Sequence, residues 1–269
     1  MIQLLELNST KSPILLNAHR GTVWSLSVTP DSKFLVSTGE DSTIVLWDIA
    51  TQNHRVIARS KSRIKSIAIS PDRKYIIGGT EDGELIKWQV EGEFEAEIIY
   101  SDPAYPIYAV AISHKGDVIV SGDLGGTVRL FDAVTKNQII DLSGHDARIN
   151  DLKFSPNDSR LASASYDGKI QLWNTENYND QPIVLEDHTS WVWSMAFSPN
   201  SKYLISGCVD RLIRKYPTYA YEMATDMCQR ITRNIDKREW DAYVGPDIPY
   251  RKTCAELPPG EGVIIINKE

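Results

Sequence analysis

Short runs of alternating apolar and polar residues recur along most of this chain. The segment from Val23 to Trp47 contains three such runs, separated by turn-forming residues at 29–31 and 40–42. Alternation with a period of two is typical of half-buried β-strands, and Pro, Asp and Ser between the runs favour turns. The segment therefore predicts three short strands joined by tight turns.

The same pattern occurs five times without gaps. The copies begin at Val23, Ile64, Ile107, Ile149 and Val192, at intervals of about 42 residues, which is the length expected of a four-stranded propeller blade. A further apolar run after each of the first four copies, such as residues 54–59, predicts a fourth strand. Four-stranded sheets repeated at this interval can bury both faces by stacking around an axis, so the pattern predicts an all-β fold of stacked blades.

Polar residues recur at fixed positions of the copies. The first copy has a histidine before its first strand, a serine in the second strand, an aspartate in the next turn and a tryptophan in the third strand, namely His19, Ser37, Asp41 and Trp47. The fourth copy has His145, Ser163, Asp167 and Trp173, and the fifth keeps His188 and Asp210. This set resembles the WD-repeat (WD40) beta-propeller family, and the resemblance implies that these residues lock each blade by hydrogen bonds.

The histidine, serine and aspartate are also the residue types of a hydrolase triad. Their recurrence in two copies favours the structural role, in which the aspartate and serine satisfy a buried imidazole. A propeller hydrolase or lyase with a site in the central channel is the alternative. The remaining copies depart from the pattern at Ser60, Gly78, Pro103, Gly125, Phe131 and Tyr216. We expect those blades to depend more on apolar stacking.

Residues 1–18 match only the second half of a copy. We predict a partial blade over 1–18, repeats from about 19, 60, 103, 145 and 188, and an end of the propeller at 216. Seven blades are usual in the family that the repeats resemble. The chain is then either the C-terminal part of a longer protein, which we favour because an open sheet edge promotes association, or a small ring closed by the N-terminal strands.

The spacing of apolar residues becomes helical after residue 216. An apolar stripe predicts a helix over 218–232, formed by Tyr221, Ala224, Met227, Cys228 and Ile231. Asp236 is a predicted N-cap for a second short helix, with Glu239 three residues later and Trp240 on its apolar face. Residues 217–269 are therefore predicted to form a helical extension with an extended tail.

Several residues of this extension carry a second resemblance. They are Cys228, Arg233, Asn234, Glu239, Trp240, Tyr243, Tyr250, Thr253 and Cys254. They resemble the tail that follows the WD repeats in bacterial signalling proteins, in which a STAND-type NTPase or caspase-like protease domain precedes the propeller. The resemblance implies the sensor part of such a protein, with the NTPase or caspase-like domain upstream in the same polypeptide. This chain has no GxxxxGK[ST] motif, so NTPase activity would lie upstream.

At three positions of the repeat the residue type differs among the five copies, whereas the neighbouring positions keep the same type. By resemblance, these positions surround the mouth of the central channel on one face. The side chains predicted to form a partner-binding face there are Trp24, Arg63, Lys65, Tyr108, Arg148, Tyr166, Trp191 and Trp193. Aromatic residues and arginine are enriched at binding hot spots, so we predict a noncatalytic platform for a protein or peptide. Packing between blades is the alternative for Trp24 and Trp193.

Composition narrows the class of partner. The 269 residues include 29 basic and 36 acidic side chains, a net charge of −7, whereas proteins that bind phosphates through counterion release are usually basic. Nucleic acid is therefore disfavoured, although Arg63, Lys65, Arg148 and the tryptophans leave it as an alternative. No apolar run is long enough to cross a bilayer and the N-terminus does not read as a secretion signal, so we predict a cytoplasmic protein without membrane contact.

Cysteine and histidine usage predicts neither a cofactor nor a metal site. The histidines show no ligand spacing such as HExxH. The cysteines Cys208, Cys228 and Cys254 are too few and too irregular for a disulfide framework, in agreement with a reducing compartment. We expect Cys228 and Cys254 to pack as apolar residues, with a single disulfide between them as the alternative.

Overall fold

A computed structural model describes residues 1–6, 12–29, 31–90, 96–243, 250–252 and 254–258. Contacts within the chain divide it into two compact units, residues 1–214 and 215–269. The strands of the first unit form antiparallel sheets in the order of the sequence. This confirms the all-β propeller fold predicted from the repeat. None of the described helices is long and apolar enough to span a membrane.

The sheets follow the five copies of the repeat. The N-terminal hairpin is β1 (Ile2–Leu4) and β2 (Ile14–Leu16); blade 1 is β3 (Val23–Val28), β4 (Phe34–Gly39), β5 (Thr43–Asp48) and β6 (His54–Arg59); blade 2 is β7 (Ile64–Ile69), β8 (Tyr75–Thr80), β9 (Glu84–Gln89) and β10 (Ala96–Ser101). Blade 3 is β11 (Ile107–Ile112), β12 (Val118–Asp123), β13 (Val128–Asp132) and β14 (Gln138–Leu142); blade 4 is β15 (Ile149–Phe154), β16 (Arg160–Ser165), β17 (Ile170–Asn174) and β18 (Ile183–Leu185). Blade 5 has three strands, β19 (Val192–Phe197), β20 (Tyr203–Cys208) and β21 (Ile213–Pro217).

Apolar side chains between neighbouring blades form the core. The cluster between blades 1 and 2 joins Ile44 to Ile64 and Trp88, and that between blades 3 and 4 joins Val128 to Ile149. The first strands of successive blades lie next to one another. Each blade therefore buries both faces only where it has a neighbour, as repeat architectures require.

The N-terminal hairpin packs on blade 1. Ile2 and Leu16 are buried in one cluster with Leu35, Val45 and Trp47. Within the described residues, β1 pairs with β2 and neither strand joins the sheet of blade 5. The small ring closed through the N-terminal strands is therefore not formed.

The second unit contains two helices, α1 (Ala220–Arg230) and α2 (Lys237–Tyr243). The predicted cap of α2 is confirmed, because the N–H of Glu239 donates to Asp236 Oδ1 at 2.8 Å and the N–H of Asp236 donates to Glu239 Oε2 at 2.7 Å. The helix predicted over 218–232 is present as α1, but none of its residues is buried and Tyr221 of the apolar stripe is 80% exposed.

The expectation that Cys228 and Cys254 pack as apolar residues without a bond is wrong, and the alternative, a single disulfide between them, is observed. They form a disulfide that joins α1 to a turn at residues 254–257. The buried Asn234 holds the same turn, because its Nδ2 donates to the carbonyl of Cys254 at 2.9 Å and its Oδ1 accepts the Cys254 N–H at 2.8 Å. These links, rather than an apolar stripe, connect the parts of this unit. Val244 to Pro249, Thr253 and the end of the predicted tail from residue 259 lie outside the described residues.

Candidate protein-binding face

A β-bulge at the same point of every blade positions one variable side chain. In blade 1, Val23 pairs with Gly39 and Ser25 with Thr38, so Trp24 is skipped in the register between the first and second strands. The same shift follows the first residue of the first strand in the other four blades. The skipped residues are Trp24, Lys65, Tyr108, Asn150 and Trp193. A bulge redirects a side chain away from the alternation of its strand, which frees this position to vary.

Five of the predicted residues lie in contact and form what we call the aromatic cluster, consisting of Tyr108, Arg148, Tyr166, Trp191 and Trp193. The Arg148 guanidinium carbon lies 3.9 Å from the ring centre of Tyr166 and 4.2 Å from that of Tyr108. Tyr166 stacks on Trp191 with ring centres 4.4 Å apart and an interplanar angle of 6°. Trp193 meets both of these rings edge-on. The cluster thus extends across blades 3, 4 and 5.

Hydrogen bonds fix the arginine of this cluster. Arg148 donates from Nε to Asn150 Oδ1 at 2.9 Å and from a terminal nitrogen to the Tyr166 hydroxyl. Asn150 in turn donates from Nδ2 to the backbone carbonyl of Val192 at 2.8 Å. Asn150 therefore orients Arg148 between the aromatic rings and ties blade 4 to blade 5. Asn150 lies at one of the three variable positions of the repeat, but the sequence gave no reason to select it as a site residue.

The other three predicted residues form a basic cluster with Glu81. Lys65 Nζ lies 4.4 Å from the ring centre of Trp24 and 3.5 Å from Glu81 Oε2. Arg63 lies 3.5 Å from the same carboxylate oxygen. Trp24 is 45% exposed. Packing between blades therefore leaves nearly half of this tryptophan accessible to a partner.

The histidines of blades 1 and 4 lie in the predicted hydrogen-bonded sets. His19 Nδ1 is 3.0 Å from Asp41 Oδ1 and its Nε2 is 2.7 Å from Ser37 Oγ. In blade 4, His145 contacts Asp167 and Ser163, at 2.8 Å each. The Trp47 indole N–H donates to Ser37 Oγ at 2.8 Å, and Trp173 donates to Ser163 Oγ at 3.2 Å.

This geometry supports a structural role. Ser163 has no exposed surface and His145 is 7% exposed, so a substrate carbonyl has no access to the serine oxygen. That oxygen also accepts the Trp173 N–H, which satisfies it within the blade. The burial of Ser163 therefore favours a structural role of the His145, Ser163 and Asp167 set over nucleophilic catalysis.

Asp41→Asn should lose its stability deficit as the pH falls. Burial raises the pKa of Asp41, but hydrogen bonds from the Arg20 N–H, His19 and Thr43 outweigh burial and lower the pKa from 3.8 to about 2. The carboxylate therefore stabilises the fold above about pH 4, and this contribution disappears as the pH falls through about 2. Thermal melts at neutral and acidic pH measure the difference, with Asp146→Asn, a largely exposed carboxylate, as the control. An equal deficit at both pH values would contradict the assignment.

Blade 5 has a different arrangement around its histidine. Arg214 donates to His188 Nδ1 at 2.7 Å and to Asp210 Oδ2 at 2.6 Å, and His188 Nε2 lies 2.7 Å from Ser206 Oγ. Since the guanidinium can only donate, Nδ1 accepts and the imidazole proton lies on Nε2. Burial and the Arg214 charge lower the pKa of His188, which favours this neutral form.

A group of potential metal ligands lies at the same place. Ligand atoms of His188, Cys208 and Asp210 are all within 4.8 Å of one another. Arg214 occupies the Asp210 carboxylate and His188 Nδ1, and Cys208 Sγ donates to the Ser190 carbonyl at 3.2 Å. These hydrogen bonds and the positive charge of Arg214 oppose a cation. The geometry of this group fits a blade lock better than a metal centre.

Blade 3 contains an ion pair that sequence analysis missed. Asp123 is 1% exposed and accepts a hydrogen bond from Arg129, which is 9% exposed. The Arg129 guanidinium also lies 4.9 Å from the ring centre of Tyr100. Burial lowers the Arg129 pKa, but the hydrogen bond and charge of Asp123 outweigh burial and raise it. Blade 3, which the sequence predicted to depend more on apolar stacking, therefore also has a buried ion pair. The available sequence signal was the presence of opposite charges, Asp123 and Arg129, in two neighbouring strands.

Comparison with known proteins agrees with this architecture. A family model described as the IFT122 first beta-propeller matches residues 6–217. Transcription initiation factor TFIID subunit 5 of Caenorhabditis elegans is 24% identical over 171 residues, which cover 64% of this chain and 26% of that protein. Polyadenylation factor subunit 2 of Candida albicans is 31% identical over 88 residues, 33% of this chain and 16% of that protein.

The match to a further relative covers a larger share of that protein's length. Eukaryotic translation initiation factor 3 subunit I of Emericella nidulans is 25% identical over 177 residues, 60% of this chain and 52% of that protein. The matched part of the chain thus spans about half or less of these relatives, which are eukaryotic proteins. The link to bacterial signalling proteins stays a prediction. From its repeats, its sheets and the match over residues 6–217, the chain belongs to the WD-repeat beta-propellers, in the family of the IFT122 first beta-propeller.

Proposed function

We propose that this chain is a noncatalytic protein-interaction module that binds a protein or peptide through the aromatic cluster. The observation that carries the proposal is a set of large rings that are exposed and yet fixed. Trp191 and Trp193 are 46% and 49% exposed, while stacking on Tyr166 and edge contacts hold both rings in place. A fixed aromatic surface loses little conformational entropy when it binds.

The chemistry of this surface favours a polypeptide with both apolar and charged groups. The indoles offer area for apolar side chains, and Arg148 adds a positive charge beside them. The basic cluster combines Arg63 and Lys65 with Glu81, which suits a partner of mixed charge rather than a uniformly anionic one. Three relatives are named as subunits of larger factors, which is in keeping with a role in binding other proteins.

Trp191→Ala should weaken partner binding about 30-fold, since truncation of a central aromatic anchor costs about 2 kcal/mol. Partners would first be identified by chemical cross-linking and mass spectrometry in lysate of the source cells. Dissociation constants would then be measured with the purified partner. Val134→Ala, at a residue that is 81% exposed and lies on another strand connection, is the matched control.

Equal affinities of the Trp191→Ala and Val134→Ala variants would overturn the proposal. A captured nucleic acid whose binding weakens steeply with added salt would support the alternative of a nucleic-acid-binding propeller. Low dependence on salt, together with loss of binding in Trp191→Ala, would support the proposed polypeptide partner.

A narrower version of the proposal places this module at the sensor end of a signalling protein with an NTPase or caspase-like domain. It rests on the resemblance of the tail residues, of which Asn234 and Trp240 lie buried in the second unit. An immunoblot of the source cells with an antibody against residues 228–262 tests it. A native band well above 30.3 kDa is expected, and a single band at that mass would contradict the narrower version.

A further inference from the structure

The guanidinium of Arg148 is partly buried and still has unused hydrogen-bond donors. It contacts Tyr108, Tyr166 and Asn150, and all four residues belong to blades 3 and 4, which have a neighbouring blade on both sides. Of the five N–H groups of a guanidinium, one donates to Asn150 and one to the Tyr166 hydroxyl. Within the described part of the chain the other three have no acceptor, and no nitrogen of Arg148 is sealed from solvent without a partner. These donors are therefore accessible to a ligand.

Two other arginines of the first unit show what Arg148 lacks. Arg129 also lies over a tyrosine ring, and Asp123 accepts its hydrogen bond. Arg214 pairs with Asp210 at 2.6 Å in blade 5. Arg148 is held by rings and hydrogen bonds in a similar way, yet among the described residues no carboxylate lies within ion-pair distance of it. Arg148 can therefore take a negative partner from outside the chain.

The chemistry of this place favours a carboxylate. The aromatic cluster contains a single cation, whereas phosphorylated ligands are recognised by clusters of arginines. The terminal nitrogens of one guanidinium match the two oxygens of a carboxylate in a planar contact with two hydrogen bonds. The rings beside Arg148 exclude part of the surrounding water, which strengthens an attraction between opposite charges. Because hydrogen bonds already fix the side chain, its binding costs little entropy.

We propose that Arg148 binds the side-chain carboxylate of an aspartate or glutamate in the partner polypeptide. The inference rests on the proposed function, since it concerns the same aromatic cluster. Arg148 Cζ and the ring centre of Trp191 lie 3.9 and 4.4 Å from the ring centre of Tyr166. In an extended segment, side chains at positions i and i+2 point the same way and are about 7 Å apart. A segment with an acidic residue and an apolar residue two positions away can therefore contact both Arg148 and Trp191.

Selection from a random heptapeptide library displayed on phage tests this preference. Peptides selected on the wild type should be enriched in aspartate or glutamate. The enrichment should disappear on Arg148→Met, which keeps the apolar part of the side chain but removes the charge. Arg59→Met makes the same change at an exposed arginine of blade 1 and should leave the enrichment unchanged.

A selected peptide then allows a double-mutant cycle. Replacing its acidic residue by the corresponding amide should raise the dissociation constant at least about tenfold for the wild type, the usual effect of losing a charge-assisted hydrogen bond. For Arg148→Met the same replacement should change the dissociation constant less than about twofold, since the two groups no longer interact. Each comparison is made within one protein variant, so a change in folding does not imitate the result. Arg148→Lys, which keeps the charge but not the planar fork, should give an intermediate ratio.

The outcomes separate this inference from the proposed function. Peptides that require Trp191 but show no acidic preference, or an amide effect that is equal for the wild type and Arg148→Met, would overturn the inference and leave the proposed function in place. Failure to select any peptide whose binding depends on Trp191 would overturn both. A peptide with phosphoserine at the acidic position that binds more than about tenfold tighter would contradict the choice of a carboxylate.

Discussion

Arg129→Met should lower the free energy of unfolding by about 4 kcal/mol, because it leaves the Asp123 carboxylate buried without its positive partner. Asp123 is 1% exposed and otherwise accepts only short-range hydrogen bonds of blade 3, such as that from the Thr127 N–H at 3.0 Å. Methionine keeps the length and the apolar part of the side chain, so the loss of charge dominates the effect. Urea or guanidinium denaturation at neutral pH measures it.

The repeat itself supplies a matched control for this prediction. Blade 4 has Ser165 and Gln171 at the positions of Asp123 and Arg129, and both are buried. The double variant Asp123→Ser, Arg129→Gln removes both charges and should be at least about 2 kcal/mol more stable than Arg129→Met. If the double variant were as unstable as the single one, the uncompensated charge would not be the cause.

His145→Ala should lower the free energy of unfolding by about 3 kcal/mol. The truncation removes the two hydrogen bonds of the buried imidazole, to Asp167 and Ser163 at 2.8 Å each, and losing a partner of a buried polar group costs about 1–3 kcal/mol. For a protein of this size, the loss corresponds to a drop of about 8 °C in the melting temperature. Differential scanning calorimetry measures both quantities.

His114→Ala is the control, because the His114 side chain is 55% exposed and contacts Asp158 at the surface. Its melting temperature should stay within about 2 °C of the wild type. Equal melting temperatures of the His145→Ala and His114→Ala variants would contradict the structural role of the blade lock.

The repeat in the sequence predicted most of the first unit because its residues act locally. The alternating strands recur in all five blades, and a turn aspartate with a histidine 22 residues before it recurs in blades 1, 4 and 5, so the copies corroborate one another. The variable columns also identified most of the candidate site. What they could not reveal is the cause, a register shift at Trp24 and its equivalents, since a bulge leaves the alternation of types on either side almost unchanged.

Structural features that occur only once in the chain could not be predicted from the repeat. The Asp123–Arg129 ion pair joins two strands of a single blade. The strong apolar pattern around these residues gave no sign that they pair with each other. The disulfide between Cys228 and Cys254 depends on how a tail without repeats folds back, and the spacing of 26 residues does not determine that. The stripe on α1 has helical spacing, but periodicity says nothing about whether another element covers it.

The bulge in each blade has a consequence for engineering this protein. A residue that is skipped in the strand register can be replaced without breaking a pair of ladder hydrogen bonds, so Trp24, Lys65, Tyr108 and Trp193 form a set of positions at which the frame tolerates diversity. Randomising these four codons together, with Asn150 kept for its hydrogen bond to the Val192 carbonyl, would vary one position in each of blades 1, 2, 3 and 5 and leave the histidine-centred hydrogen bonds of blades 1, 4 and 5 in place. The bulges thereby make this fold a scaffold on which new binding specificities can be selected.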